Sequence, residues 1–190
     1  ASDITITTTS NLTFGANGHI LGSNGDQIKI GKNALSLNNQ GVGNIALGFE
    51  AMKANVSGCY NTAVGHQALT ANVSDAGSYN TAHGFQALYN NTTGANNVAV
   101  GYQSSRALTV GQYNVSVGRN AMLKNTTGNV NVVMGSDAMC NDTTGQSNVV
   151  IGFDTGRLAT GLSSNVLLGR AAGCIGTNAQ LNVYLGNNAG

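Results

Sequence analysis

The chain has 190 residues with no proline or tryptophan, 27 glycines, 8% charged residues and a net charge of +1. Such a low charge density, with the basic residues scattered, argues against a surface that tracks nucleic-acid phosphates. No apolar run approaches the roughly 20 residues that cross a bilayer, so we expect no membrane insertion.

The first 26 residues predict a junction with a degenerate first repeat, in which Gly15 follows the letters NLTF. Residues 27–190 are repetitive: QIKI precedes Gly31, and regular repeats begin at Asn44. The chain stops shortly after a repeat corner and has no polar capping segment, so we expect a piece truncated at its C-terminus.

The regular repeat has an asparagine every seventeen residues and a glycine four residues after it. One step, from Asn61 to Asn80, is nineteen residues long because 72–79 carries two extra residues. The ladder asparagines are Asn44, Asn61, Asn80, Asn97, Asn114, Asn131, Asn148, Asn165 and Asn182. The corner glycines are Gly48, Gly65, Gly84, Gly101, Gly118, Gly135, Gly152, Gly169 and Gly186. This period is typical of one turn, or rung, of a β-solenoid, and it predicts an all-β parallel fold of about eleven rungs.

Between asparagine and glycine, apolar residues alternate with small ones, as in Val98, Ala99 and Val100. A period of two predicts a strand. We expect Val98 and Val100 inside the coil and the Ala99 column outside, against another chain. Ala68 and Leu69 are expected to begin a second short strand after the corner glycine. Each rung offers little core to a single chain, so the sequence predicts an obligate homo-oligomer.

The ladder asparagines are expected to hydrogen-bond up and down the stack and to tie down turns, which is a structural role. Several Asn-x-Ser/Thr sequons also occur, and we interpret them as turn sequences rather than glycosylation sites. They include those that begin at Asn55, Asn72, Asn91, Asn114, Asn125 and Asn141.

The residue after the corner glycine is aromatic or histidine on four successive rungs, at Phe49, His66, Phe85 and Tyr102. This aromatic stripe would stack sugar rings if it faced solvent, or would be packing if it lay between chains. Packing is the favoured interpretation, and a glycan-facing surface is the alternative.

Asp137 and Asp154 each lie two residues after a corner glycine, so their carboxylates should stack about 5 Å apart. That separation suits a retaining glycosidase pair or a shared cation. The same column holds Glu50, Gln67, Gln86, Gln103, Asn120 and Asn188, which favours a solvated polar ladder. We therefore predict no catalytic residue, metal or cofactor.

His83 takes the place of an aliphatic residue that is expected to point inward, so three copies in a trimer would meet a metal or an anion. A locally satisfied histidine is favoured. Cys140 and Cys174 lie two rungs apart, or nearly 10 Å, which is too far for a disulfide. With Cys59, they predict free thiols and assembly in a reducing cytosol, which favours a phage product over a secreted adhesin.

The units NTAVGHQAL (61–69) and NVAVGYQSS (97–105) resemble the head repeats of YadA-like trimeric autotransporter adhesins. The amino-acid sequence of residues 80–97 is similar to repeats of phage tail-fibre proteins. The resemblance implies a trimeric, left-handed parallel β-roll in a fibre that meets a cell surface. These rungs are longer than the usual adhesin rung, and the 190 residues include no segment similar to the chaperone domain, coiled-coil stalk or membrane anchor of those families.

From that resemblance we expect a non-enzymatic segment of a viral tail fibre or spike. It would be homotrimeric, joined to flanking fibre segments in a virion, and would take part in attachment to a host surface glycan or protein. The alternatives are the head of a bacterial trimeric autotransporter adhesin and a polysaccharide-degrading tailspike.

Overall fold

The computed structural model describes residues 27–190, except positions 39 and 175. Within them the chain forms ten short parallel strands in one sheet, each hydrogen-bonded to its neighbours in chain order. They are β1 (Ile28–Ile30), β2 (Ile45–Leu47), β3 (Thr62–Val64), β4 (Thr81–His83), β5 (Val98–Val100), β6 (Val115–Val117), β7 (Val132–Met134), β8 (Val149–Ile151), β9 (Val166–Leu168) and β10 (Val183–Leu185). The described residues therefore form an all-β solenoid without helices.

The register confirms the seventeen-residue period. Val98 pairs with Val115, which in turn pairs with Val132, so equivalent residues lie over one another. The nineteen-residue step keeps the same register, since Thr62 pairs with Thr81 and the extra residues lie in the intervening turn. The rung predicted to end at Gly15 falls outside the described residues, and the described coil has about nine turns.

The prediction of which strand residues face the interior is wrong. Ala99 has no exposed surface, whereas Val98 and Val100 on either side of it are only half-buried. The same holds from β2 to β9, where the middle residue is buried and its neighbours point outward. The small middle column therefore lies in the core and is not a contact between chains.

The interior is filled from two sides, which explains why a small residue suits the strand. Facing the strand column are pairs such as Ala68 and Leu69, both fully buried. Where the strand residue grows to Leu167, the facing position becomes Gly173, whose added Cβ would lie 2.9 Å from a methyl of Leu167. The two columns therefore compensate each other in size, as close packing requires.

The second strand predicted at Ala68 and Leu69 is not formed. Leu69 has a φ of 52°, and Gln67 has a φ of 55°, so the chain turns here instead of extending. The Ala68 N–H donates to the Gly65 carbonyl within this turn at 3.3 Å, while the Leu69 N–H donates to Ala87 on the next rung at 2.9 Å. Repeated left-handed residues thus bend each rung into a closed coil.

The corner position of each regular rung requires glycine for two separate reasons. At Gly118, φ is 135°, a conformation that residues with a Cβ rarely adopt. A Cβ there would also collide with the carbonyl oxygen of Gly135 on the next rung. The glycine column therefore permits both the bend and the close stacking of successive rungs.

Candidate functional site

The ladder asparagines form a hydrogen-bonded stack inside the coil. The Oδ1 of Asn114 accepts from the backbone N–H of Asn131 at 3.0 Å and from its Nδ2 at 2.9 Å. The Nδ2 of Asn131 also donates to the carbonyl of Gly145 at 2.8 Å. Each asparagine side chain thus links the residue at the start of one strand to its equivalent on the neighbouring rung and to the adjoining turn.

A second buried column, which the sequence interpretation treated only as turns, lies beside the ladder: Asn44 and Asn55, for example, both donate to the carbonyl of Gly58, at 2.8 and 3.0 Å. Asn55, Asn72, Asn91, Asn125 and Asp142 have no exposed surface. Asp142 accepts from the backbone N–H groups of Thr144 at 3.0 Å and Leu162 at 2.7 Å, and also from that of Gly145. The recurrence of Asn or Asp before Thr-Thr-Gly was the signal for this role.

The burial of this column also bears on the sequons. Of the six sequon asparagines named above, five are buried in the folded chain and Asn141 is partly exposed. A glycan cannot be accommodated on the buried asparagines without opening the coil, so their role in this fold is structural.

The aromatic stripe is brought together as a stack of rings on the outside of the coil. Ring centroids lie 4.9 Å apart between Phe49 and His66, 5.4 Å between His66 and Phe85, and 5.1 Å between Phe85 and Tyr102. All four side chains are exposed in the single chain. Their interplanar angles are 10° to 23°, so the rings stack face to face along the coil axis.

This geometry limits what the stripe can bind. A sugar that stacks on an aromatic residue needs the face of the ring. His66 and Phe85 each present both faces to neighbouring rings, which leaves their edges to the outside. The terminal ring of Tyr102, which is 50% exposed, has an aromatic neighbour on one side only among the described residues.

Beside the stripe runs an amide column, which we define as Glu50, Gln67, Gln86, Gln103, Asn120 and Asp137. From Gln103 downward, each Nε2 donates to the residue one rung below, and the series ends on Glu50 Oε2. From Asn120 the direction is opposite, since its Nδ2 donates upward to Asp137 Oδ1 at 2.9 Å. The Oδ1 of Asn120 is buried and has no hydrogen-bond partner.

Three arginine or lysine side chains flank the amide column. Lys53 Nζ lies 2.8 Å from Glu50 Oε1, and Arg119 forms an ion pair with Asp137. Arg106 Nε donates to Gln86 Oε1 at 3.0 Å, which adds a second donor to that oxygen. Hydrogen bonds from Lys53 and Gln67 lower the pKa of Glu50 below its ordinary value.

The predicted carboxylate pair occupies adjacent rungs, but each member has its own cation. Asp154 Oδ1 lies 3.5 Å from Arg157 Nε, while Asp137 is paired with Arg119. Burial by itself would raise the pKa of Asp137, but hydrogen bonds from Asn120 and Ser136 and the charge of Arg119 outweigh burial and lower it. A general acid in a glycosidase needs the opposite shift.

His83 does not point inward as predicted. It lies in an outward strand column and is exposed, because the inside and outside faces were assigned the wrong way round. The three cysteines are free thiols, and Cys140 is buried. Among the described residues, no group of three or more His, Cys, Asp or Glu side chains is arranged to hold a metal ion.

Sequence interpretation also missed a tyrosine column on the outer surface. Tyr60, Tyr79 and Tyr113 each precede a ladder asparagine, and all three are more than half exposed. The rings of Tyr60 and Tyr79 stack at 5.4 Å. Their φ values of 55° to 61° keep the chain turning into the next strand. The recurrence of tyrosine before the asparagine was a visible signal.

The fold defines the class of this chain as a parallel β-solenoid. No protein-family model matches the sequence, and comparisons with curated proteins and with solved structures find no significant match. The described residues contain no helix with the length and apolar character needed to cross a membrane.

Proposed function

We propose that this chain is a non-enzymatic, homotrimeric segment of a viral tail fibre or spike that takes part in attachment to the host cell surface. The observation that carries the proposal is the outer face of the sheet. Its two outward columns are aliphatic or methionine at every strand position except Thr62, Thr81 and His83, and they include no charged residue. An apolar strip of this kind is typical of an interface.

A second copy of the same chain is the partner that best fits this face. The strip runs the length of the described coil, which is roughly 43 Å for nine steps of about 4.8 Å. An identical copy carries the same repeat along the same length, so apolar columns meet over every rung. Side-by-side association around one axis yields an elongated body that joins flanking fibre segments, and virion localisation follows from that role.

Attachment is supported by the repeat resemblance and by the outer side chains beyond the sheet. The aromatic stripe and the amide column follow the corner glycines, outside the two outward strand columns, and the four stripe side chains are exposed in the single chain. Three copies of a weak site act together when they meet a surface, which strengthens binding without new contacts. Host surface glycan or protein is the proposed partner.

The bacterial trimeric autotransporter adhesin head is the first alternative, since the same repeats resemble it. The second is a polysaccharide-degrading tailspike, for which the adjacent Asp137 and Asp154 are the candidates. The lowered pKa of Asp137 disfavours Asp137 as the general acid of such a pair, and its carboxylate is already engaged by Arg119. Release of reducing sugar from host polysaccharide, abolished by Asp137→Asn, would establish it instead.

The assembly is tested by sedimentation at micromolar concentration. We expect a trimer for the wild-type chain and dissociation for Ile151→Asp, which places a charge on the outer face of β8. Val110→Asp is the matched control, because Val110 is exposed but lies outside the sheet. A folded wild-type monomer, or equal behaviour of the two variants, contradicts assembly through this face.

Attachment is tested by a pull-down of the isolated assembly on candidate host cells, with the intact fibre as the reference. We expect the isolated segment to bind the cells that the fibre binds. Binding by the intact fibre alone would assign attachment to other segments and leave this one as a shaft.

A further inference from the structure

The amide column contains one interval between successive side chains in which no residue of the column supplies a hydrogen-bond donor. Carboxylates only accept hydrogen bonds, and the column has a carboxylate at each end, Glu50 and Asp137. The four amides between them each donate along the column in one direction, but the six side chains leave five intervals. One interval must therefore hold two acceptor oxygens and no donor.

The structure places this interval between Gln103 and Asn120. Gln103 donates down to Gln86 at 3.0 Å, and Asn120 donates up to Asp137 at 2.9 Å. Turning Asn120 round would set its oxygen against the Asp137 carboxylate. Arg106 holds Gln86 in place by donating to its Oε1. The buried, unpartnered Oδ1 of Asn120 is the direct sign of the missing donor.

We propose that this interval, with the ring of Tyr102, is a binding site for a neutral saccharide. A sugar carries adjacent hydroxyl groups, which are able to donate to Gln103 Oε1 and Asn120 Oδ1. Its apolar face packs on Tyr102, which is the upper end of the stacked rings. Asn120 Oδ1 is covered in the unbound chain, and the next rung above Tyr102 carries Arg119, whose side chain is 60% exposed. The proposed site therefore includes a rotation of the Arg119 side chain that opens the interval.

Local charge favours a neutral donor over a cation. Glu50 and Asp137 are already paired with Lys53 and Arg119, and Arg106 adds a further positive charge beside Gln86. An ammonium group or a metal ion would meet this excess of positive charge, whereas a hydroxyl group would not. The inference deepens the proposed attachment function and rests on it only for its biological setting.

The test uses a panel of neutral hexoses, N-acetylhexosamines and their oligosaccharides, measured by saturation-transfer NMR and titration calorimetry. In Asp137→Asn the side chain at the upper end of the amide column becomes able to donate a hydrogen bond. Asn120 is then free to turn and donate to Gln103, which fills the interval with a donor. We expect affinity to fall about tenfold or more, as the loss of one or two hydrogen bonds implies. Asp154→Asn makes the same chemical change one rung higher, leaves the interval intact and should bind within about twofold of wild type.

A second variant keeps the test decisive if Asp137→Asn does not fold. Gln103→Met removes one of the two acceptors, and methionine already occupies left-handed positions in this chain at Met122 and Met139. It should also lose affinity about tenfold, with an unchanged circular dichroism spectrum. Equal affinity in the wild-type chain and in both Asp137→Asn and Gln103→Met would place the sugar elsewhere and overturn the site.

The same measurements separate this inference from the proposed function. If no saccharide in the panel binds, or if ammonium chloride or potassium chloride binds in its place, the saccharide site is wrong even when the fibre still adsorbs to cells. If the saccharides bind as expected but the assembly does not attach to cells, the proposed attachment fails while the site stands.

Discussion

Asn131 is joined to Asn114, one rung below it, by two hydrogen bonds to the same oxygen: its backbone N–H and its side-chain Nδ2 both donate to Asn114 Oδ1. Its own Oδ1 receives the equivalent pair from Asn148. A repeating unit in which each side chain completes the backbone of the next rung makes stability depend on every member.

Replacing Asn131 with alanine should destabilise the chain by about 2–4 kcal/mol, because it leaves the Asn148 N–H and the Gly145 carbonyl buried without this partner. The measurement is the free energy of unfolding from urea titration. Asn187→Ala is the control, since Asn187 is exposed and its side chain makes no hydrogen bond among the described residues. A loss below about 0.5 kcal/mol at Asn131 would contradict the structural role.

The corner glycines should not tolerate a methyl group. Gly118→Ala combines a φ of 135° with a collision against the Gly135 carbonyl, so we expect a loss of at least about 2 kcal/mol. Gly176→Ala is the matched control, because its Cβ would meet nothing closer than 3.8 Å. Thermal unfolding of the two variants should differ clearly, and equal melting temperatures would refute the stacking argument.

Enlarging the strand core should destabilise the chain in a way that tests which face is inside. Ala99 is fully buried, and the facing column around it, formed by Leu88, Ser105 and Met122 on successive rungs, is buried too, so Ala99→Leu should cost about 1–3 kcal/mol through overpacking. The same change at Ala95, which is only partly buried, is the control. If Ala99→Leu left stability unchanged, the buried position of this column would be wrong.

Stability should fall in acid partly through Asp137. Its pKa is lowered in the folded chain, so its contribution is fully present above the ordinary aspartate value of about 4 and is lost as pH falls through the folded value. Asp137→Asn should therefore unfold more easily than wild type near neutral pH, and the difference should narrow below about pH 4. Urea midpoints across that range measure it, and a constant difference would contradict the assignment.

The thiols should react at different rates. Burial, followed by the charge of Asp137, raises the pKa of Cys140 above that of an ordinary thiol. Since the thiolate is the reactive form, Cys140 should be alkylated more slowly at pH 8 than the less buried Cys59. Peptide mass spectrometry resolves the two, and alkylation of unfolded protein supplies the control, because both thiols should then react alike.

The period of seventeen was sufficient to predict that Val98, Val115 and Val132 stack in a parallel solenoid, since equal spacing along a coiled chain means equal position on each turn. It was also sufficient to place the ladder asparagines and corner glycines on columns. Alternation predicted the strand at 98–100 but not which side of it is inside. Apolar residues on both sides of a strand leave that choice open.

Only the closed coil of the tertiary structure decided which face of each strand lies inside. Left-handed residues such as Gln67 and Leu69 bend the chain so that the Leu69 side chain fills the interior, and the space left over accepts an alanine on the strand. The sequence placed Glu50 and Asp137 in the same column as the amides, but only the structure showed that the reversal lies between Gln103 and Asn120. Which way an amide donates depends on the charged groups that the fold brings to the two ends of its column.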